Sequence, residues 1–138
     1  MSVESGVIAL AQAVGADIKT INTKVAKTRA AGYDDLVVNA TATGSITLDL
    51  NAATVFDLTL TGNTSINFSN LPTPTNQIFS WVVKVTMGGT LRTLTWPTTT
   101  WYTSGGTEPA APAVGKVVEY IFSTQNGTNI VGRKGSAT

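Results

Sequence analysis

Three aromatic side chains, Trp96, Trp101 and Tyr102, lie close together in the chain and are flanked by Thr98, Thr99 and Thr100. Rings carried on a long loop could stack on the sugars of a host surface while the threonine hydroxyls hydrogen-bond to them. The same rings would serve a contact between subunits, where aromatics are enriched; in that case Trp96 ends a strand in the core and Trp101 and Tyr102 pack at the contact. The carboxylates offer less. Asp34 and Asp35 could supply half of a calcium site, but no further carboxylates follow at the spacing of an EF-hand loop, so a solvated hinge is expected. Asp57 and Glu119 fall on strands as surface or subunit-contact charges. A glycosidase would need two carboxyl groups facing one cleft. The chain has no His and no Cys. That removes the usual base at neutral pH, the thiol nucleophile and the main transition-metal ligands. The expectation is a protein that is not an enzyme, with no catalytic residue, no metal and no cofactor.

The elements that would carry these residues follow from composition and periodicity. Only 12% of the 138 residues are charged, well below the roughly 25% of an average soluble domain; Thr, Asn, Ser and Gly supply the polarity. A formal net charge of +1 gives no reason to expect nucleic acid or an anionic membrane as partner. The basic residues Lys19, Lys24, Lys27 and Arg29 are offset by Glu4, Asp17, Asp34 and Asp35. No apolar run reaches the roughly 18 residues of a membrane span. Glu4, and no basic residue, precedes the apolar stretch from Val7 to Val14, so a secretory signal is not expected and assembly in a cytoplasm is.

The first segment reads as a long helix. Val14, Ile18, Ile21 and Val25 recur four, three and four positions apart, with Val7, Ala11 and Thr28 in phase. That is a heptad seam. Val14 and Ile21 take d, Ile18 and Val25 take a, and no Leu occupies d; such β-branched seams favour trimers or tetramers over pairs. Ser2 or Ser5 suits the N-cap, and Gly32 suits the position just past the C-terminus. Gly15 costs about 1 kcal/mol relative to Ala within a helix and could mark a break. Ile8 and Leu10 fall off the seam, which makes the first turns apolar on more than one face. The expected division is therefore a helical anchor and trimerisation segment over 1–32 and an antiparallel β-domain over 33–138.

After Asp35 the periodicity changes to two. Ile46, Leu48 and Leu50 share one face, as do Phe56, Leu58 and Leu60, then Ile66 and Phe68, then Phe79, Trp81, Val83 and Val85. Gly62-Asn63 suits a type II′ hairpin turn, Gly88-Gly89 a turn from the strand over 78–87 into 91–96, and Asn126-Gly127 a turn between the last two strands. Seven or eight short strands with such punctuation predict a mainly β fold, an antiparallel β-sandwich or jelly-roll-like domain, following an N-terminal α-helical stalk.

The segment from Thr54 to Thr64 (TVFDLTLTGNT), with Ile66, Phe68 and Asn70-Leu-Pro72, resembles a module that recurs in tailed-phage virion proteins. The likeness continues through Gly88–Pro97 (GGTLRTLTWP), Val117–Ser123 (VVEYIFS) and Gly132. It covers about residues 45–134, and its specificity lies in the order and spacing of the pieces. Tail-fibre chains and head-decoration proteins both carry such modules. The resemblance implies a virion protein assembled in the host bacterial cytoplasm. A helical anchor plus one β-knob fits a homotrimeric capsid decoration, cement or head-fibre subunit, whose partners would be its own copies and other virion proteins, the major capsid protein above all. The alternative is a tail-fibre or tail-tip knob recognising a host surface glycan.

Overall fold

A computed structural model describes residues 3–33 and 36–138, with side chains at 3–20, 36–135 and 137–138. The chain divides into two compact units after Asp35. The first is a single helix, α1 (Val3–Tyr33). It runs unbroken through Gly15, so the break considered at that residue does not occur. Ser5 lies within the helix and not at its cap. Gly32 is also helical, and no basic residue falls in the last turn, so the expected C-terminal stop comes later than the glycine suggested. At 1.5 Å per residue the helix is about 46 Å long. Among the described residues no helix is long and apolar enough to cross a membrane.

The second unit is one seven-stranded sheet in the order β1-β2-β3-β6-β7-β5, with β4 paired to β2. Its strands are β1 (Val37–Asp49), β2 (Val55–Ser69), β3 (Phe79–Met87), β4 (Leu94–Thr95), β5 (Thr100–Trp101), β6 (Val117–Thr124) and β7 (Ile130–Ala137). The fold is mainly β with one N-terminal helix, as expected, but the sheet is mixed and not antiparallel throughout. β1 runs parallel to β2, and β2 parallel to both β3 and β4; β3–β6 and β6–β7 are antiparallel, while β5 lies parallel to β7.

The parallel half has a geometry that chain length alone dictates. Val37 pairs with Val55 at one end of the β1–β2 ladder and Asp49 with Ser69 at the other. Residues 50–54 must carry the chain back from Asp49 to the side of Val37, a reach of at most about 22 Å. A straight strand of 13 residues would be about 40 Å long. β1 therefore bends. The ladder shows where: pairing passes from Ala42↔Leu60 to Gly44↔Thr64, with a register shift between. Gly44 has φ +68°, a left-handed conformation that a side chain resists.

β2 bends at the same level. Its first arm pairs with β3 up to Leu60↔Met87, and its second arm with β4 from Thr64↔Leu94. The chain thus makes three stacked, bent rungs. Their first arms are 37–42, 55–60 and 82–87; their second arms start at Gly44, Thr64 and Leu94. The corners lengthen from rung to rung, as residue 43, residues 61–63 and residues 88–93. Thr64 and Thr93 join the last two corners, the Thr64 amide donating to the Thr93 carbonyl at 2.9 Å and the Thr93 amide to Asn63 Oδ1 at 3.1 Å.

These corners correct two expected hairpins. Gly62-Asn63 lies inside β2 at its bend, and Gly88-Gly89 leads to β4 on β2 instead of returning along β3. The Asn126-Gly127 turn does join two antiparallel strands, β6 and β7.

The inward positions are those that the period-two pattern placed together. Phe56, Leu58, Leu60 and Ile66 on β2 are buried, with Trp81, Val83, Val85 and Met87 on β3 and Val118, Tyr120 and Phe122 on β6. Each such side chain contributes about 1.5–3 kcal/mol by leaving water. Bending turns the second arms toward the first across this core. Phe68, from the second arm of β2, meets Trp81 and Phe122 edge-on, both at 5.1 Å between ring centroids. Trp81 and Phe122 stack at 5.7 Å.

Candidate functional site

The long loop between β4 and β6 does not present three rings. Trp96 and Trp101 are buried. Trp96 packs on Tyr120 and Phe122, each at 4.8 Å, and Trp101 lies 5.6 Å from Phe122. Two features hold Trp101 in place. β5 pairs it with Gly132 of β7, and a Cβ on that glycine would sit 2.6 Å from the indole ring. The absence of a side chain at residue 132 is therefore what lets the ring lie on the strand. The loop is held a second time by the Tyr120 hydroxyl, which donates to the Ala110 carbonyl at 3.2 Å. Burial, and to a lesser degree the negative charge of Glu108, pushes the Tyr120 phenol up to about 12. The indole nitrogens of Trp81 and Trp96 are buried and reach no acceptor among the described residues.

Tyr102 is different. It is 62% exposed, and the Arg133 guanidinium lies 5.0 Å from its ring centre. The Tyr102 amide donates to the Gly132 carbonyl at 2.8 Å, which fixes the ring beside β7. The forked guanidinium lies over one face of the ring, and an exposed ring beside such a donor is a start for a sugar contact. The structure thus separates the expected set, taking Trp96 and Trp101 into the core and leaving Tyr102 at the surface with Arg133, a residue that sequence reasoning did not single out. Its signal was faint, because Arg133 is brought to Tyr102 by the β5–β7 pairing, which has no local mark in the sequence.

On the outward face, the ladders align Asn39, Asp57, Lys84 and Glu119 across four strands. Lys84 Nζ donates to Asp57 Oδ2 at 2.7 Å, and that bond, with the Asp57 and Glu119 charges, raises the Lys84 ammonium above its ordinary value. Asp57 and Glu119 therefore flank a cation on an open sheet face. Beyond the bend, Asp49 closes the first rung. It accepts from Asn70 Nδ2 at 2.7 Å and from the Asn51 amide at 2.9 Å, which hold its carboxyl below the usual carboxylate range. Asp34 and Asp35 lie outside the described residues. Among the described residues, one depression of the surface is lined by Asn39, Ala40, Thr41, Asp57 and Thr59, and another by Asn76, Gln77, Ile78 and Gln125.

The helix seam gives the strongest surface feature. Val7, Val14 and Ile18 are exposed, as are Ala11 in phase and Ile8 and Leu10 off the stripe; Val14, the least open of the large ones, is still 47% exposed. Ile21, Val25 and Thr28 continue the seam along the backbone of α1, but their side chains fall outside the described residues.

Comparison with protein-family models, with curated proteins and with solved structures finds no match. The functional reading rests on the residues themselves.

Sequence reasoning missed one further feature, the internal repeat that the rungs reveal. Val37-Val-Asn-Ala-Thr-Ala42, Val55-Phe-Asp-Leu-Thr-Leu60 and Val82-Val-Lys-Val-Thr-Met87 stack position for position, so that Val37, Val55 and Val82 form one column and Thr41, Thr59 and Thr86 another. The signal was present as Val at the first place, Thr at the fifth and a Gly soon after. Unequal corners and loops hide it from a search for a fixed period.

Proposed function

We propose that this chain is a non-enzymatic structural protein of a tailed-phage virion: a homotrimeric capsid decoration, cement or head-fibre subunit assembled in the bacterial cytoplasm. The observation that carries the reading is the row of uncovered Val, Ala and Ile side chains along α1. Helical stability in proteins comes mostly from packing an apolar face. The β-branched residues at a and d favour three strands around that seam. The β-unit supports the same reading. Its few charges and its Thr-rich outward columns suit a protein that stands among copies of itself. We read its two arms, facing each other across one aromatic core, as a sandwich-like knob. As cement, the trimer would bridge neighbouring capsid subunits, and three linked contacts bind far more tightly than one.

Two measurements test this. Light scattering on the free protein should give the mass of three chains or a multiple of it, and Ile18→Glu should abolish the threefold association. Purified protein added to phage heads that lack it should bind them and raise their resistance to heat. A chain that stays single at micromolar concentration defeats the proposal, as does one that ignores heads.

The exposed pair of Tyr102 and Arg133 favours a second reading, a tail-fibre or tail-tip knob that takes host glycan. A glycan array separates the two: retention of a defined sugar, lost in Tyr102→Ala, assigns the knob to recognition.

A further inference from the structure

The three-rung stack has a finished end and an unfinished one. At the finished end β3 is covered by β6 and β7. At the other end lies β1, which among the described residues pairs with no strand but β2. The Leu36 carbonyl accepts from the Val55 amide, and the Leu50 amide donates to the Ser69 carbonyl. Residues 36 and 50 thus turn their backbone toward β2, and alternation along each arm turns Val37, Asn39, Thr41, Ser45 and Thr47 away from it. Their amides and carbonyls line an open edge.

Two of the three inward side-chain columns of this arm end there too, those of Val38 and Ala40, while Ala42 at the corner is buried. Val38 and Ala40 occupy the inward places held by Phe56 and Leu58 on the second rung and by Val83 and Val85 on the third, which are all at most 1% exposed. Val38 is 36% exposed, and Ala40 is likewise exposed. Stacked-repeat folds ordinarily close such an end with a polar cap, and exposed strand edges are ordinarily defended with charge or proline. The first arm of β1, VVNATA, has neither. The opposite border of the sheet does: β7 carries Arg133 and Lys134 and is partly covered by β5.

We propose that this edge is an assembly surface whose occupant is the β1 edge of a second copy, running antiparallel across a twofold axis. Symmetry selects that arrangement. A twofold axis perpendicular to the sheet keeps inward face beside inward face, whereas parallel pairing of the same two edges sets inward against outward. With the axis at Asn39, the outward-turned residues fall at hydrogen-bonded places: Asn39 meets its own copy, and Val37 meets Thr41 of the second chain. Val38 then stands opposite Ala40 of the second chain at the closer, non-hydrogen-bonded place, a large side chain beside a small one. No like charges meet along this arm, so the patch is self-complementary, as a twofold contact requires. Where the helix makes trimers, as proposed above, edge pairing between them links trimers into a net. That consequence rests on the trimer reading; the edge contact does not.

Asn39→Pro tests it. The Asn39 amide faces the open edge, so the substitution removes a donor that the subunit's own ladder does not use. Asn39→Lys is the second variant: it sets two ammonium groups against each other across the axis, while Asp57, the ladder neighbour of residue 39, favours a cation within the subunit. In light scattering of the full chain over a dilution series, concentrated wild type should have at least about twice the mass of either variant. At the dilute end of the series, where assembly adds no stability, the variants should match its circular dichroism and melting temperature. Equal masses for folded wild type and variants overturn the proposal. Amide exchange in wild type alone gives an independent reading: protection of Val37, Asn39 and Thr41 at high concentration, lost on dilution, supports edge pairing, and fast exchange at every concentration refutes it. The mass of the variants also reads the helix. Three chains support the trimer, and one chain removes it without touching the edge.

Discussion

The two halves of the β-unit meet at β3 and are built on different rules. On one side, β3, β6 and β7 form an antiparallel ladder, and along β3 and β6 buried inward residues alternate cleanly with half-buried or exposed outward ones. On the other, β1 and β2 form bent parallel rungs, and burial falls away toward the border: β2 is as well covered as β3, while five successive residues of the first arm of β1 are exposed. The sequence repeat is the same on both sides of this gradient. The Val-Val-Asn-Ala-Thr of β1 is exposed, with Ala42 buried at its end, while every inward residue of the Val-Val-Lys-Val-Thr-Met of β3 is covered; neighbours, more than composition, set the difference. An inward Val on the outermost rung contributes little until something lies beside it.

That difference can be broken most directly at its strong end. Trp81→Ala removes the ring that Phe68 and Phe122 pack against and should cost about 3–5 kcal/mol, enough to unfold a marginal unit or lower its melting temperature by well over 10 °C. Val38→Ala, at an equivalent inward face on β1, should cost under about 1 kcal/mol in the isolated subunit. Paired thermal melts at low concentration check the contrast. Comparable losses would show that the stack is evenly stabilised and that its first rung is covered after all. Trp81→Phe should cost far less than Trp81→Ala, because it keeps an aromatic ring in place, and because the indole nitrogen reaches no acceptor among the described residues its removal leaves no acceptor stranded.

Glycines sharpen the comparison at smaller scale. In the antiparallel half, Gly132→Ala drives a methyl group into the Trp101 ring, which is itself wedged between Trp96 and Phe122. Overpacking of this kind costs about 1–3 kcal/mol. In the parallel half, a Cβ on Gly44 meets nothing within 4 Å; Gly44→Ala should cost only about 1 kcal/mol for its positive φ. Urea unfolding followed by tryptophan fluorescence ranks the two. A larger loss at Gly44 would mean that the bend, and not the aromatic wedge, limits stability.

The same division governs what was legible in the sequence. Inward faces could be read wherever a strand alternates, and residues 46–50, 55–60, 66–68 and 79–87 all kept their predicted faces. The β6–β7 turn could be read because Asn126-Gly127 is a local signal for a local contact. The parallel rungs could not, because their pairing is set by stacking between segments far apart in the chain. Gly62-Asn63 and Gly88-Gly89 have the chemistry of hairpin turns and serve as corners instead. Nothing near them records that the next strand is already occupied on both sides. The aromatic set illustrates the same limit. Trp96, Trp101 and Tyr102 are close in sequence, but the burial of two and the exposure of the third depend on Gly132, which is remote from them along the chain. The heptad seam of α1 was legible as spacing alone, and its exposed members fall on the helix where that spacing placed them.

The smallest effect tests how the long loop is fastened to the antiparallel half. The Tyr120 hydroxyl donates to the Ala110 carbonyl, and its phenol is pushed up to about 12, chiefly by burial. An unfolded tyrosine titrates near 10. Below pH 10 both states hold the proton, and this group makes stability independent of pH. Between pH 10 and about 12 the unfolded chain loses the proton while the folded chain keeps it. Stability then falls as pH rises, by as much as about 1.4 kcal/mol per pH unit. Tyr120→Phe removes both effects. At pH 7 it should lower stability by about 0.5–1.5 kcal/mol, the worth of one hydrogen bond. Its unfolding free energy should then decline less steeply above pH 10, so that the two proteins converge as alkali is added. Denaturant titrations at pH 7, 10 and 11 measure this. Parallel curves for the two proteins would mean that the phenol is open to water, and that the loop is held by Trp101 and Gly132 alone.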